Sequence, residues 1–393
     1  MPTESIDLIV EAGLVVTMNQ DRDLVTDGAV AVHGGRIVAI AARQDIEDRY
    51  VGKKRIGGSK FIAMPGFIDG HSHAGHGLVR TMGADDFPVF REACRKIYVE
   101  SASLDFWAAE ARLSGLERLK AGVTTSVLFV GGGDENNRSN TPDVAKTYAR
   151  AFTSIGPDLF LGIGPSRPPF PRHFNHFVDG RTVKTAVDFD RMVEVCTEIA
   201  DTLPNQKVRV AFTTPVVNPV IHSGAQFEMI GIMAKTMKAL ARSRGMMLMI
   251  DGHRGGTVAY AAVELDILDD KTLLSHAIGL SDDEIAIVAE RRSVVANNAI
   301  SASAIWDRCP VPELIAAGAR VILTSDGLAP DGGSDMFDLM RGAMRYHRAS
   351  AHNPNLLPPG RALAMTTIDA AEAFGIDDEV GSLESDSKLF ERF

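Results

Sequence analysis

At 393 residues, 45% hydrophobic and 23% charged, the chain has an ordinary globular composition and is long enough for one large domain plus a small one. A formal net charge of −10 excludes a protein built around nucleic-acid binding, which needs a basic face for phosphates. The chain contains no apolar run of membrane-spanning length and no basic stretch leading into an apolar leader. Its three cysteines, Cys94, Cys196 and Cys309, are scattered, so a cytoplasmic protein in a reducing compartment is expected.

Residues 5 to 60 read as short strands joined by turns. Asp7–Val10 is apolar, Leu14–Met18 follows a glycine, and Gly28–Val32 leads through His33-Gly34-Gly35 into Arg36–Ile40, a good hairpin signal. A small β-domain over residues 1–60 is therefore expected, with His33 as a solvated turn residue.

From residue 61 the rhythm changes to short apolar runs separated by longer amphipathic stretches. The runs are Phe61–Ile68, Val123–Val130, Leu159–Gly164, Val208–Thr214, Met246–Ile250, Thr272–Ser275, Ser293–Ala296 and Arg320–Thr324. Helix-like segments lie between them, including Leu104–Lys120, Asp188–Asp201 and Gln226–Arg242. Ser281-Asp282-Asp283-Glu284 is a helix start with a capping-box pattern. Eight β–α units in series predict a (β/α)8 TIM barrel, an α/β fold, over residues 61–375. Residues 376–393 return to the small, sandwich-like β-domain.

Chemistry in such a barrel collects where strands end and the following loops begin. The first run ends in Asp69-Gly70-His71-Ser72-His73, and alternate residues of an extended strand share a face, so His71 and His73 point the same way. Two neutral imidazoles side by side are half of a metal site. The fifth run ends in Asp251-Gly252-His253, the sixth in His276, and the eighth in Thr324-Ser325-Asp326. Four histidines and one aspartate are thus expected on one rim.

Pro-Gly-Phe-Ile-Asp-Gly-His-Ser-His at 65–73, the lone strand-end histidines at 253 and 276, and Thr-Ser-Asp-Gly at 324–327 resemble the amidohydrolase superfamily of metal-dependent hydrolases. The resemblance covers nearly the whole chain. Residues 71–80 and 275–284 look most like the branch that holds cytosine deaminase and atrazine chlorohydrolase. It implies that His71, His73, His253 and Asp326 bind one divalent metal ion, usually zinc or iron, and that His276 sits beside the metal-bound water. Three imidazoles and a carboxylate suit zinc and leave one position for water, whose pKa the cation lowers toward neutrality, so that hydroxide is the nucleophile. Asp326 would take the water's proton, and His276 would stabilise the tetrahedral adduct. A second metal is not expected, because Lys207 lies at the wrong end of the fourth strand to bridge two ions.

The pattern departs from that branch at two places. Its deaminases carry H-x-x-E after the fifth strand, whereas this chain has His253-Arg254-Gly255-Gly256 and lacks the carboxylate relay. Family members also continue past Gly-Ser-Leu-Glu with a further strand, whereas here the chain reads Ser385 to Phe393. That end is expected to be poorly ordered or to pack at a contact within a homodimer or higher homo-oligomer.

Further pocket candidates are His76 in the first loop, Arg167 after the third strand, Arg254, and Asn297 with Asn298 after the seventh. The three-glycine segment Gly131–Gly133 is expected near the active rim, and His173 and His176 in a long loop. The reading that follows is a hydrolase of carbon–nitrogen, non-peptide bonds in a small cyclic or amide-bearing molecule. Two others stay open: a deaminase or chlorohydrolase of a nitrogen heterocycle with a different proton shuttle, and a metal-binding homologue without catalysis.

Overall fold

The computed structural model describes residues 4–83, 86–178, 181–301, 307–328, 332–385 and 387. The chain divides into two compact units, Met1–Ile68 with Leu363–Phe393, and Asp69–Ala362. The unit boundaries therefore fall at 68/69 and 362/363, where the sequence suggests 60/61 and 375/376.

The first unit carries a four-stranded sheet of β1 (Glu4–Val16), β2 (Leu24–His33), β3 (Arg36–Ala42) and β4 (Tyr50–Ala63), in the order β3-β2-β1-β4. The two runs expected at 7–10 and 14–18 are one strand. Gly13 does not turn the chain; a Cβ there would lie 2.2 Å from the Ser59 carbonyl oxygen, and the β1–β4 register shifts between Ala12 and Leu14. Glycine is present because two backbones meet at a bulge. The β2–β3 hairpin forms as expected, with Gly34 and Gly35 at φ +59° and +74° and His33 half-exposed, 3.2 Å from Asp7. Returning from the C-terminal side, Leu383 packs with Ala12, Val15 and Ile37, and its N–H donates to the Thr17 carbonyl at 2.6 Å. The expectation of a disordered or intersubunit terminus covers Ser385–Phe393; of these, Ser387 is buried and its carbonyl accepts from the Ile37 N–H at 3.0 Å within the same unit, while residues 386 and 388–393 lie outside the described residues.

The second unit is built on eight parallel strands: β5 (Phe67–Ala74), β6 (Val123–Val130), β7 (Asp158–Ile163), β10 (Val208–Thr214), β11 (Leu248–Ile250), β12 (Thr272–Ser275), β13 (Val294–Asn297) and β14 (Arg320–Leu323), neighbours in that order. A parallel bridge between Ser72 and Asp326, with the Asp326 N–H donating to the His71 carbonyl at 3.0 Å, joins the last strand to the first. This is the TIM barrel that eight apolar runs predict. Such strands are covered on both faces and so read as continuous apolar stretches. The first strand starts later than the run implies. Phe61–Ala63 ends β4, the Pro65-Gly66 turn follows, and His71 and His73 lie inside β5 rather than beyond it.

Helices alternate with the strands. Those used below are α1 (Phe87–Arg95), α2 (Leu104–Lys120), α3 (Thr257–Val263), α4 (Asp282–Arg291) and α5 (Met336–Ser350). The capping box at Ser281 and Glu284 is present, and the second carboxylate oxygen of Glu284 accepts from the N–H groups of Gly256, Val258 and Ala259 at 2.9, 3.1 and 3.2 Å. One glutamate thus caps two helix starts and pins the loop after β11. The expected long loop around 173–176 is instead an antiparallel hairpin, β8 (Arg172–Val178) with β9 (Arg181–Val187).

Candidate metal-dependent active site

Five side chains from four barrel strands meet at the strand ends. His71 Nε2 lies 3.5 Å from Asp251 Oδ1 and 3.6 Å from Asp326 Oδ1; His73 Nε2 lies 3.6 Å from Asp251 Oδ2 and 3.1 Å from Asp326 Oδ1. His276 Nε2 is 3.1 Å from Asp251 Oδ1 and 4.0 Å from Asp326 Oδ2. Ligands about 2.0–2.2 Å from a tetrahedral ion are about 3.3–3.6 Å from one another, and the separations around His71 and His73, 3.1 to 3.6 Å, are close to that. His71 Nε2 and Asp251 Oδ1 are buried without a hydrogen-bond partner, as expected of atoms aimed at a cation. Two carboxylates facing each other inside a protein call for positive charge between them. The residues present therefore fit a divalent metal ion.

The surroundings orient this set. Ser275 Oγ lies 2.8 Å from His71 Nδ1, fixing the ring so that Nε2 faces inward. Ser301 Oγ donates to Asp326 Oδ2 at 2.5 Å. Behind them, Asp69 accepts from the Ser325 N–H at 2.9 Å and the Ser325 hydroxyl at 2.5 Å, and pairs with the fully buried Arg118 of α2. Asp69, His71 and His73 alternate along β5, so the same strand that presents the ligands also anchors the residue before Asp326. His276 and Asp326 both have left-handed backbone, φ +67° and +65°. That conformation costs non-glycine residues on the order of 1–3 kcal/mol and is characteristic of functional positions.

Burial alone would push both aspartates toward the neutral acid. The His71, His276 and His73 imidazoles outweigh it at Asp251, and those of His71, His73 and His276 outweigh it at Asp326, so both are held well below the usual carboxylate range. Burial works against charge on His73 as well, but the Asp326 and Asp251 carboxylates raise it overall. The cluster keeps its carboxylates ionised, the form that binds a metal or accepts a proton.

Of the expected ligands, His71, His73 and Asp326 come together with His276. His253 is not among the atoms found within 4.0 Å of one another there: its Nδ1 is 2.8 Å from the Thr257 hydroxyl, its Nε2 is buried without a partner, and burial pushes it down to about 4. From strand five it is Asp251, immediately after β11, that faces His71, His73 and His276. Gly252, at φ +91°, turns the chain and breaks the alternation that would have put residue 253 on the same face. The sequence signal for Asp251 is its place as the first residue past an apolar run, with a histidine two residues on competing for the same role.

A cavity of about 780 Å³ opens over the cluster. His73, His276, Asp251 and Asp326 line it, as do the expected His76, Arg167 and Arg254 and the glycine-rich Gly132–Asn136. His76 is buried against Phe90 and Tyr98, and burial pushes it down to about 3. Arg167 is held by Asp134, Nη2 to Oδ2 at 2.6 Å. Asn297 and Asn298 are not part of the lining: Asn297 faces His347 at 3.5 Å, and Asn298 accepts from the Thr324 hydroxyl. Asn297 thus bonds to α5 and Asn298 to the residue after β14, rather than toward substrate. His176 bonds Asn140 and Thr185 at 2.8 and 2.9 Å and holds its hairpin. Asn218, His222 and Asp335, which sequence reading did not single out, line the cavity.

Comparison with known proteins places this geometry in context. The model of the amidohydrolase family matches residues 62–387. A 5-methylthioadenosine/S-adenosylhomocysteine deaminase of Pelotomaculum thermopropionicum is 27% identical over 97% of this chain and 83% of its own. A 5′-deoxyadenosine deaminase of Methanococcoides burtonii is 26% identical over 95% and 81%. Among solved structures, a zinc-bound adenosine deaminase from Xanthomonas campestris superposes with a TM-score of 0.80 at 22% identity, covering 99% of this chain and 84% of that one. Atrazine chlorohydrolase from Arthrobacter aurescens with zinc gives 0.78 at 20%, covering 97% and 86%. The chain belongs to the amidohydrolase family and is an enzyme of the hydrolase class acting on carbon–nitrogen bonds with a divalent metal.

Proposed function

We propose that the chain binds one divalent ion, zinc, through His71, His73, Asp251 and Asp326, and hydrolyses a non-peptide carbon–nitrogen bond of a small cyclic or amide-bearing molecule. The observation that carries this is the convergence of three imidazoles and two carboxylates at one end of the barrel, with ligand atoms 3.1 to 3.6 Å apart around His71 and His73. The ion, when bound, makes water acidic enough to act as a nucleophile near neutral pH. Asp326 Oδ2, oriented by Ser301, accepts a proton from the attacking water and returns it to the leaving nitrogen. His276 Nε2, beside Asp251 and facing the cavity, donates to the oxygen on which negative charge develops. His76, its ring 5.0 Å from that of His73, and Arg167 line the cavity.

The names of the relatives favour a second reading, deamination of a purine nucleoside or related heterocycle. No glutamate stands three residues after either Asp251 or His253, where residues 254 and 256 are Arg and Gly. The nearby Glu284 is committed to capping. Amide hydrolysis, which Asp326 and His276 can serve together, is therefore preferred. The test is steady-state turnover of the metal-loaded protein on lactams, ureides, adenosine analogues and chlorotriazines, with ammonia and ring-opened product measured separately. Ring opening without ammonia is expected; ammonia release from adenosine analogues alone would establish deamination instead.

A further inference from the structure

Arg254 is the third residue past Asp251, in the loop that follows β11. The loop reads Asp251-Gly252-His253-Arg254, so a fixed positive charge stands three residues from a carboxylate that faces His276 at 3.1 Å. The backbone there is held firmly. The Arg254 N–H donates to Thr257 Oγ1 at 3.0 Å, its carbonyl accepts from the same hydroxyl at 2.6 Å, and Arg254 bridges to Ile278 beside His276. Arg254 lines the cavity and is exposed to solvent.

The charges around the cavity point to its use. Arg91 pairs with Glu135, and Arg167 with Asp134 at 2.6 Å. Asp338 lies 3.5 Å from Arg341, and Asp335 caps α5 through the Phe337 and Asp338 N–H groups. Asp251 and Asp326 balance a divalent ion. Among the described residues, Arg254 is then the cavity-lining arginine without a carboxylate partner. A guanidinium presents two parallel donors that match a carboxylate, and it cannot give up its proton at working pH. It can therefore bind an anion but cannot replace the relay.

We propose that Arg254 is a specificity-determining residue that binds a carboxylate of the substrate, so that the molecule hydrolysed is an acidic amide or lactam rather than a neutral heterocycle. This rests on the carbon–nitrogen hydrolase reading for the bond broken, but not for the charge recognised. The test is calorimetric binding, to the zinc-loaded full chain, of 2-pyrrolidone-5-carboxylate and its neutral carboxamide, with turnover of each followed separately. The carboxylate is expected to bind at least tenfold more tightly. Arg254→Gln should erase that difference, Arg254→Lys should keep part of it, and zinc content should stay at the wild-type level in both. Equal affinity of the wild type for the two compounds, or a preference that survives Arg254→Gln, overturns the proposal. Charge preference without hydrolysis of either compound would uphold it while counting against the bond-breaking assignment.

Discussion

Asp251 Oδ1 lies 3.1 Å from His276 Nε2, one strand away, and 3.5 Å from His71 Nε2, across the mouth of the barrel. This places a carboxylate at the strand-five position, while His253 turns to Thr257. Asp251→Asn is expected to weaken metal binding by at least 100-fold, whereas His253→Gln should retain bound metal after dialysis. Elemental analysis of the two purified variants decides it. Full metal loss in His253→Gln with retention in Asp251→Asn would reverse the assignment.

Ser275 touches no cavity surface yet holds His71 through a 2.8 Å bond to Nδ1. Residues that orient a metal-bound imidazole typically contribute 10- to 100-fold to affinity. Ser275→Ala should lower metal affinity by about that factor, read by competition with a chelator of known strength, with the fold intact by circular dichroism.

Asp69 and Arg118 are both fully buried and share the Ser325 hydroxyl. Removing one partner leaves an uncompensated charge in the core, at a cost of about 3–5 kcal/mol. Arg118→Met is expected to lower the urea midpoint sharply. The double variant Asp69→Asn with Arg118→Met should recover part of the loss, since it buries no charge. A double variant no more stable than Arg118→Met would show that the pair acts mainly by holding Ser325.

Glu110 of α2 is buried beneath the loop after β5, where it accepts from the Gly77 N–H at 3.2 Å. Burial pushes its carboxyl up to about 7, against the opposing hydrogen bonds from Tyr148, Gly77 and Gly75. The folded value lies above the unfolded one, so the native state binds the extra proton. Its contribution is fully present below about pH 4.5 and is lost as pH rises through 7, amounting to about 3 kcal/mol over that span. Unfolding by urea at pH 5 and pH 8 should show a smaller pH-dependent difference in Glu110→Gln than in the wild type. An unchanged difference would place the titration elsewhere.

All three cysteines are buried free thiols; burial pushes Cys94 up to about 11 and Cys196 and Cys309 up to about 12. The thiolate is the reactive form. Native protein should react with a disulfide reagent at pH 8 far more slowly than protein in denaturant, where three thiols should appear at once. Rapid release of one native equivalent would identify an exposed site.

The alternation of apolar runs with amphipathic stretches determined the barrel, because parallel strands covered on both faces must be apolar throughout. The ends of those runs likewise pointed to His71, His73, His276 and Asp326, which lie close together in the folded chain. The small domain's hairpin was legible from Gly34-Gly35 for a similar reason: that turn needs positive φ. What the sequence could not decide was direction after a strand stops. One glycine at positive φ, Gly252, exchanged His253 for Asp251, and hydrogen bonds to His347 of α5 and to Thr324 took Asn297 and Asn298 out of the pocket. The Asp69–Arg118–Ser325 anchor joins positions far apart in the chain, and its members carry no local pattern. Periodicity reports which face of a regular element is buried. Where the backbone leaves the element, the partners that side chains find are set by three-dimensional proximity, and only the folded chain supplies that.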